Sequence, residues 1–430
     1  MNILLVAPSG SRFNHTLHYR YTDVGEVLGF LSRKRPQDSL AFIDCLACEI
    51  EWSLLRRISE GIDVLVFYSD VSASSDTVRL ASMARALQPQ ARILAYGKGP
   101  ACIPPFFTRW PFDAVCLTGD PEAALLGYLN HLEGGPVPRG LWCAHRRDTI
   151  EGGEWLSPCE WGFPSLDCLP LEDYRRIARI KGIPFELSVY PSRGCSHREC
   201  GYCDAPRYEG HRDRRRPPDQ LLAWTDVAVH THGFDCVQMH ATDFCAAPDW
   251  VERFCQEYRA SGCRFDWTCC VRADSLTPAL VRQMAHAGCR RIGVGVEHLS
   301  IDAVPTACEV KVSLTQLEQV AALLRENGLP GKAYLMAGMP GQTELDLLHA
   351  YLTVLRMGLI PRVSTYTPFH HLLGLSLGEL EQLDLVRYDR KCFLPAGELP
   401  DATVLNLILR PPGVEAWAQM RFAELLNEPS

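Results

Sequence analysis

The chain has 430 residues, 47% hydrophobic and 22% charged, which suits two or three globular domains with sizeable cores. Its formal net charge of −8 argues against a nucleic-acid scaffold whose affinity rests on neutralising phosphates. No apolar run reaches the roughly eighteen residues a membrane span needs, and the opening Met1–Ala7 lacks the basic flank of a signal peptide, so the chain is expected to be cytoplasmic, with no membrane or nucleic-acid partner.

Residues 1–133 alternate short apolar runs with segments of helical spacing. Strands are expected at 2–7, 62–67, 92–96 and 114–117, and helices at 76–87 and 121–132. Such alternation implies a parallel, doubly wound, Rossmann-like sheet, in which ligands bind outside the carboxyl ends of the strands. Those ends carry Ser69, Gly97 and Gly119. From 134 to 184 the pattern lapses into Gly- and Pro-rich chain, read as a surface linker with a hairpin around Gly152-Gly153.

A second alternation fills 185–368. Strands are expected at 185–190, 236–240, 265–269, 291–296, 331–336 and 362–367, with helices at 218–230, 248–260, 278–287, 314–326 and 344–356. Six strands with five intervening helices describe a partial (β/α)6 barrel rather than a closed eightfold one; an open sheet fits the same pattern. Residues 369–430 lose the repeat and are expected to form a small C-terminal domain. The run Arg212-Asp213-Arg214-Arg215-Arg216 is short and is read as a solvated loop rather than a phosphate site.

The 19 cysteines are scattered, odd in number and without a secretory signal, so most are expected to be buried thiols, the Cys45 and Cys48 pair included. The exception is the glycine-containing loop after the first barrel strand, where Cys195, Cys200 and Cys203 lie within nine residues. Three thiolates on one loop suit an iron–sulfur cubane with one iron left open. In a parallel βα architecture the loops after strands gather at the catalytic mouth. A zinc site completed by His197 or His211 is the alternative metal reading, although zinc ligands usually come as two short knuckles.

With this loop, the stretch from 185 to 368 resembles the radical S-adenosylmethionine (SAM) superfamily. Tyr202 stands where that family places an aromatic just before its last cysteine, while the first interval, Ser196 to Glu199, is one residue longer than the family's usual three. The resemblance implies a [4Fe–4S] cluster on Cys195, Cys200 and Cys203, and SAM contacts from Tyr202, His240, Asp243, Arg272, Glu297 and Gly338. His240 and Asp243 match the groups at the amino end of SAM, Arg272 suits its carboxylate, and Glu297 its ribose hydroxyls. The run Gly338-Met339-Pro340-Gly341-Gln342-Thr343 is similar to the family's GxPGET turn, with Gln342 in place of Glu.

The front domain resembles that of the cobalamin-binding subclass, with Thr118-Gly119-Asp120-Pro121-Glu122 similar to its GEGE region. By position Ser69, Gly97 and Gly119 are the expected cobalamin contacts; no Asp-x-His-x-x-Gly motif supplies a lower axial histidine. The resemblance thus implies a cobalamin-dependent radical SAM enzyme. The expected reaction is methyl transfer to an unactivated carbon of a small-molecule or peptide substrate, with an electron donor such as flavodoxin or ferredoxin. Rearrangement, cyclisation or oxidation without methyl transfer is the alternative within the same chemistry, and a non-catalytic iron–sulfur or zinc protein the alternative outside it. Catalytic candidates among the side chains are Cys270, Cys308 and His370.

Overall fold

A computed structural model describes residues 1–8, 20–47, 61–145, 152–197, 200–299, 312–388 and 399–427. The chain divides into two compact bodies. The first comprises Met1–Ser196, Asp204–Pro217 and Phe369–Asp389; the second comprises His197–Cys203, Pro218–Pro368 and Arg390–Ser430. Residues 369–430, expected as one unit, are therefore shared between the two bodies.

In the first body the strands are β1 (Asn2–Ala7), β2 (Ser39–Asp44), β3 (Val64–Tyr68), β4 (Arg92–Tyr96), β5 (Ala114–Cys116) and β6 (Leu141–Cys143). They form one sheet in the order β2-β1-β3-β4-β5-β6, parallel except for the antiparallel β6. β1 and β3 are almost continuously apolar and buried, as strands covered on both faces must be. The order 2-1-3-4-5 is that of a doubly wound sheet with a switch point between β1 and β3. Helix Pro121–Leu132 starts with proline at its first position, where no N–H is needed. Phe369, Leu372, Leu380 and Leu385 join Leu4, Val6, Phe67 and Phe107 in this body's core, so the chain after residue 368 completes it.

Where a linker was expected, Leu171–Lys181 is a helix ended by Gly182 at φ 60°. No hairpin forms at Gly152-Gly153 among the described residues. Instead Gly153 lies against Thr118, where a Cβ would come within 2.0 Å of the Thr118 carbonyl oxygen.

The basic run is not a solvated loop. β8 (Ser192–Arg193), which follows strand β7 (Glu186–Val189), pairs antiparallel with β9 (Arg214–Arg215). Arg193, Arg214 and Arg216 turn into the first body, whereas Arg212 is exposed and Arg215 pairs with Asp213. Arg193 makes a bidentate pair with Glu122 (2.6 and 3.0 Å) and reaches Glu26 at 2.7 Å. Arg216 meets the same Glu26 oxygen at 2.7 Å, and Arg214 grips Asp120 at 2.6 and 2.8 Å. The three guanidinium groups sit 4.6–5.3 Å from the ring of Trp161, whose N–H donates to Asp120. Burial opposes the charge on Arg193, but Glu122 and Glu26 outweigh it and hold its pKa well above the ordinary value.

The second body holds β10 (Cys236–Met239), β11 (Trp267–Arg272), β12 (Cys289–Glu297), β13 (Gly331–Ala337) and β14 (Ile360–Thr365), parallel and paired in chain order. Helices Pro218–His232, Pro248–Ser261, Pro278–His286, Leu314–Glu326 and Glu344–Arg356 alternate with them. Thr277, Ser313 and Thr343 cap three of these helices, the last two through capping boxes. Trp267, Cys269, Val271, Ile292, Val294, Ala333 and Leu335 are buried on the helix-covered face; Trp267 packs on Phe254 of helix Pro248–Ser261, with ring centroids 5.4 Å apart. The alternate residues Cys270, Arg272, Gly295, Glu297, Lys332 and Tyr334 occupy the other face and are half-buried. Strands β7 and β10–β14 realise all six strands expected from the second alternation, and among the described residues no helix is long and apolar enough to cross a membrane.

Removing one partner from a buried ion pair strands the others. Arg193→Ala, which leaves Glu26 and Glu122 short of a cation, is expected to destabilise the first body by about 3–5 kcal/mol. Calorimetric or urea unfolding of the whole chain reads this; a change within that of a surface arginine variant such as Arg79→Ala would show the network to be energetically idle.

Candidate active site

The three cluster-type cysteines fall on both sides of the body boundary, Cys195 in the first and Cys200 and Cys203 in the second. The Cys195 amide donates to the Gly210 carbonyl (3.1 Å), in the chain that leads into β9. Cys200 and Cys203 are joined by a tight turn in which the Cys203 amide donates to the Cys200 carbonyl at 3.0 Å. Their half-exposed thiols pack on an apolar cluster of Tyr202, Met336, Met339 and Tyr366, with the two tyrosine rings edge to face at 6.5 Å. Met336 is the next-to-last residue of β13, and Met339 lies in the turn that follows. This pairs the thiol turn with the strand-end loop that the sequence marks as GxPGQT.

Gln342 organises that turn. Its side-chain oxygen accepts the amides of Gly338 (2.8 Å) and Met339 (3.3 Å), while its amide nitrogen donates to the Met336 carbonyl at 2.9 Å. A glutamate could supply the acceptor but, when ionised, not the donor, which gives the Gln-for-Glu departure a local use. The Gly338 N–H is thereby consumed within the turn, leaving its carbonyl for any ligand.

Asp243 and Arg272 come together at the ends of β10 and β11. Oδ1 of Asp243 accepts from the amides of Cys245 (3.0 Å) and Arg272 (3.4 Å) and from the Ser275 hydroxyl (3.0 Å), so this carboxylate ties two strand-end loops together. The Arg272 guanidinium forms a fork with Asp274 at 2.9 and 2.7 Å. That hydrogen-bonded pair raises the arginine and lowers the aspartate, and Cys200 is among the charges acting on Arg272. His240 is half-buried directly after β10. Glu297 ends β12 with φ +62°, a left-handed conformation rare outside glycine, and the β12–β13 register shifts between Gly295 and Glu297. Gly295, two residues earlier on the same face, gives way to that side chain: a Cβ there would lie only 3.2 Å from Glu297 Oε1.

Of the remaining candidates, Ser69, Gly97, Gly119 and His370 belong to the first body. Ser69 is fully buried, its hydroxyl bonded to the Asp70 carbonyl and to Thr77. A Cβ on Gly97 (φ 117°) would strike the Ser69 carbonyl at 2.6 Å, and one on Gly119 (φ 91°) the Glu154 backbone at 2.7 Å. The nearby strand ends are occupied by a buried polar network that the sequence reading missed. Asp23 accepts from Tyr190 (2.8 Å) and Tyr68 (3.0 Å), and Lys98 lies 3.4 Å from Asp204. Burial pushes Asp23 and Asp70 up, and Glu209 up to about 7. Asp23, Glu122, Tyr190, Arg193, Tyr208 and Glu209 line a small polar cavity. His370 is exposed on the short helix Phe369–Leu372 of the first body, and Cys308 and Cys48 lie outside the described residues.

Residues 189–354 match the sequence profile of the radical SAM superfamily, and this part of the chain is a radical SAM domain. Among solved structures, the radical SAM methyltransferase TsrM from Kitasatospora setae, with tryptophan and a SAM analogue bound, superposes with a TM-score of 0.68 at 15% identity, over 86% of this chain and 75% of that one. The cobalamin-dependent radical SAM enzyme OxsB, with aqua-cobalamin bound, gives a TM-score of 0.67 at 16% identity, over 90% of this chain and 56% of that one. At such identities the likeness is one of fold: a doubly wound domain, a partial barrel and a C-terminal region. No curated protein sequence matches the chain.

The cofactors that a radical SAM domain implies are a [4Fe–4S] cluster and SAM. The donor chemistry fits: soft thiols beside thioethers and an aromatic, at the ends of the barrel strands. Among the described residues, which omit 198 and 199 of this loop, no three metal-binding side chains already stand gathered as a site. The turn opposite the thiols should be correspondingly sensitive. Gln342→Ala, which orphans two amides and a carbonyl, is expected to cost about 1–3 kcal/mol, and Gln342→Glu, which keeps the acceptor, less. Denaturant unfolding that ranks the glutamate variant as the worse of the two would contradict this assignment of its bonds.

Proposed function

We propose that the chain is a cobalamin-dependent radical SAM enzyme that methylates an unactivated carbon of a small-molecule or peptide substrate. The observation that carries the radical SAM part is the packing of the Cys200–Cys203 turn on Met336, Met339, Tyr202 and Tyr366 at the barrel strand ends. In this reading Cys195, Cys200 and Cys203 hold the cluster, and SAM completes it. A cluster held by these thiols with SAM beside it would supply one-electron reductive cleavage of SAM.

The chain's own part is positioning and shielding. Tyr202 and the two methionines exclude water from the cluster side. Arg272, released from Asp274, is a planar donor for the methionyl carboxylate, exchanging one carboxylate partner for another. Glu297 accepts from ribose hydroxyls, its left-handed backbone turning the side chain into the space beside Gly295. Asp243 acts through position, fixing the loop that bears Arg272.

The cobalamin part is supported by the first body's strand order, whose β1/β3 switch point is where such sheets take ligands, and by the fold likeness to TsrM and OxsB across most of the chain. In this reading Ser69, Gly97 and Gly119, which follow strands β3, β4 and β5, lie where a corrinoid would be contacted.

Anaerobic reconstitution with iron, sulfide and aqua-cobalamin, followed by turnover with SAM deuterated in its methyl group, tests both parts. Corrinoid retained through gel filtration, with label in the product of an accepted substrate, is the expected result. An iron–sulfur protein that cleaves SAM but takes up no corrinoid would overturn the cobalamin and methyl-transfer parts together.

A further inference from the structure

The barrel face turned away from the helices sets a thiol beside a phenol. Cys270 is on β11 and Tyr334 on β13, with β12 between them and Gly293 in register with Cys270. A Cβ at Gly293 would lie 2.5 Å from Cε2 of Tyr334, so the tyrosine ring crosses β12 at a position that only glycine leaves open. The crossing brings the Tyr334 hydroxyl to 3.5 Å from Sγ of Cys270, with the thiol donating. Both side chains are half-buried, whereas Cys269 and Cys289 are buried. Burial raises the Cys270 thiol, so it keeps its hydrogen at neutral pH. The Tyr334 hydroxyl is raised too, first by the charge of Cys270 and then by burial. Beside them Thr268 donates to Gln238 at 2.9 Å, so the pair belongs to a polar layer across three strands of the barrel.

From this geometry we infer that Cys270 is a hydrogen-atom donor to carbon radicals formed inside the barrel, and that Tyr334 restores it. The inference rests on the radical SAM reading and extends it to the end of the radical's life. An S–H bond is weaker than an aliphatic C–H bond, so transfer to a primary carbon radical runs downhill. The C–H bond forms, the S–H bond breaks homolytically, and Cys270 is left as a thiyl. The thiyl takes a hydrogen atom from the Tyr334 hydroxyl, re-forming S–H and leaving a tyrosyl. The tyrosyl returns to phenol with one electron from the low-potential donor that serves the cluster and one proton from solvent. Cys270 is then a catalytic residue that touches the reacting carbon, and Tyr334 is its reductant.

The test needs no knowledge of the substrate. The reconstituted full chain is exchanged into D2O and given SAM and dithionite, with thiol reductants left out. The 5′-deoxyadenosine formed is expected to carry deuterium at C5′, delivered from the exchanged S–D group. The 5′-deoxyadenosine that Cys270→Ser forms, in whatever amount, should have lost most of that deuterium, its hydrogen then coming from C–H bonds that do not exchange with D2O. Tyr334→Phe should keep the label in the first turnover and slow the later ones. In the cofactor-free protein, iodoacetamide labelling mapped by mass spectrometry should modify Cys270 well before Cys269 or Cys289. Unchanged deuterium in Cys270→Ser, or a Cys270 as protected as Cys269, overturns the inference and leaves SAM cleavage standing. If the wild-type protein forms no 5′-deoxyadenosine, the radical SAM reading falls and the inference with it.

Discussion

Two buried arginines, a partly buried third and the carboxylates that receive them fix the stem of the cysteine loop. Arg193 lies two residues before Cys195, Arg214 lies on the return strand after Cys203, and Arg216 follows just beyond that strand. All three end in the interior of the first body, on Glu26, Glu122 and Asp120 around one face-sharing tryptophan. Ions in such a place carry a heavy desolvation penalty, and only close, multiple hydrogen bonds offset it. The return is geometric. A loop that must present thiolates to one cluster has to start and finish at fixed points, and β8 paired with β9 provides both.

The barrel strands then divide the labour by alternation. One face is apolar and buried against helices, carrying the packing. The other bears the groups with chemistry, in layers that follow the strand register. Near the strand ends are Met336, Glu297 and Arg272; deeper lie Cys270, Lys332 and Tyr334. Glycine decides how that face is used. Gly293 gives way to a tyrosine ring, and Gly295 to the Glu297 side chain, whose Oε1 would lie 3.2 Å from a Cβ there. A site on rigid strands with its loops tied by Asp243 and Gln342 is suited to holding a reactive intermediate away from water.

Much of this was legible in the sequence because its signals are local. The helices at 121–132, 314–326 and 344–356 and the strands at 2–7 and 92–96 match the expected bounds, the helices marked by Pro, Ser or Thr at their starts. The thiol turn and the GxPGQT turn are contiguous motifs, and the structure brings them together through Met336 and Met339. What escaped depends on distant partners. The arginine run looks like a solvated surface until Glu26 and Asp120, some 190 and 94 residues away, are placed beside Arg216 and Arg214. Strand β2, reading SLAFID, is a half-buried edge with little apolar alternation. The helix Leu171–Lys181 did carry its signals, acidic residues in the first turn and Gly182 after the last, but the surrounding prolines and glycines masked them. Tyr334 was passed over because within an apolar strand a tyrosine reads as core; its role depends on a glycine one strand away.

The central claim is that the loop of Cys195, Cys200 and Cys203 holds a cluster with an iron open to SAM. Low-temperature electron paramagnetic resonance of the reduced, reconstituted protein before and after SAM addition tests it most directly. The account predicts a [4Fe–4S] signal whose line shape changes when SAM binds, and no such signal once the three cysteines are replaced by alanine. A protein that assembles no cluster, or one whose signal SAM leaves untouched, would contradict it.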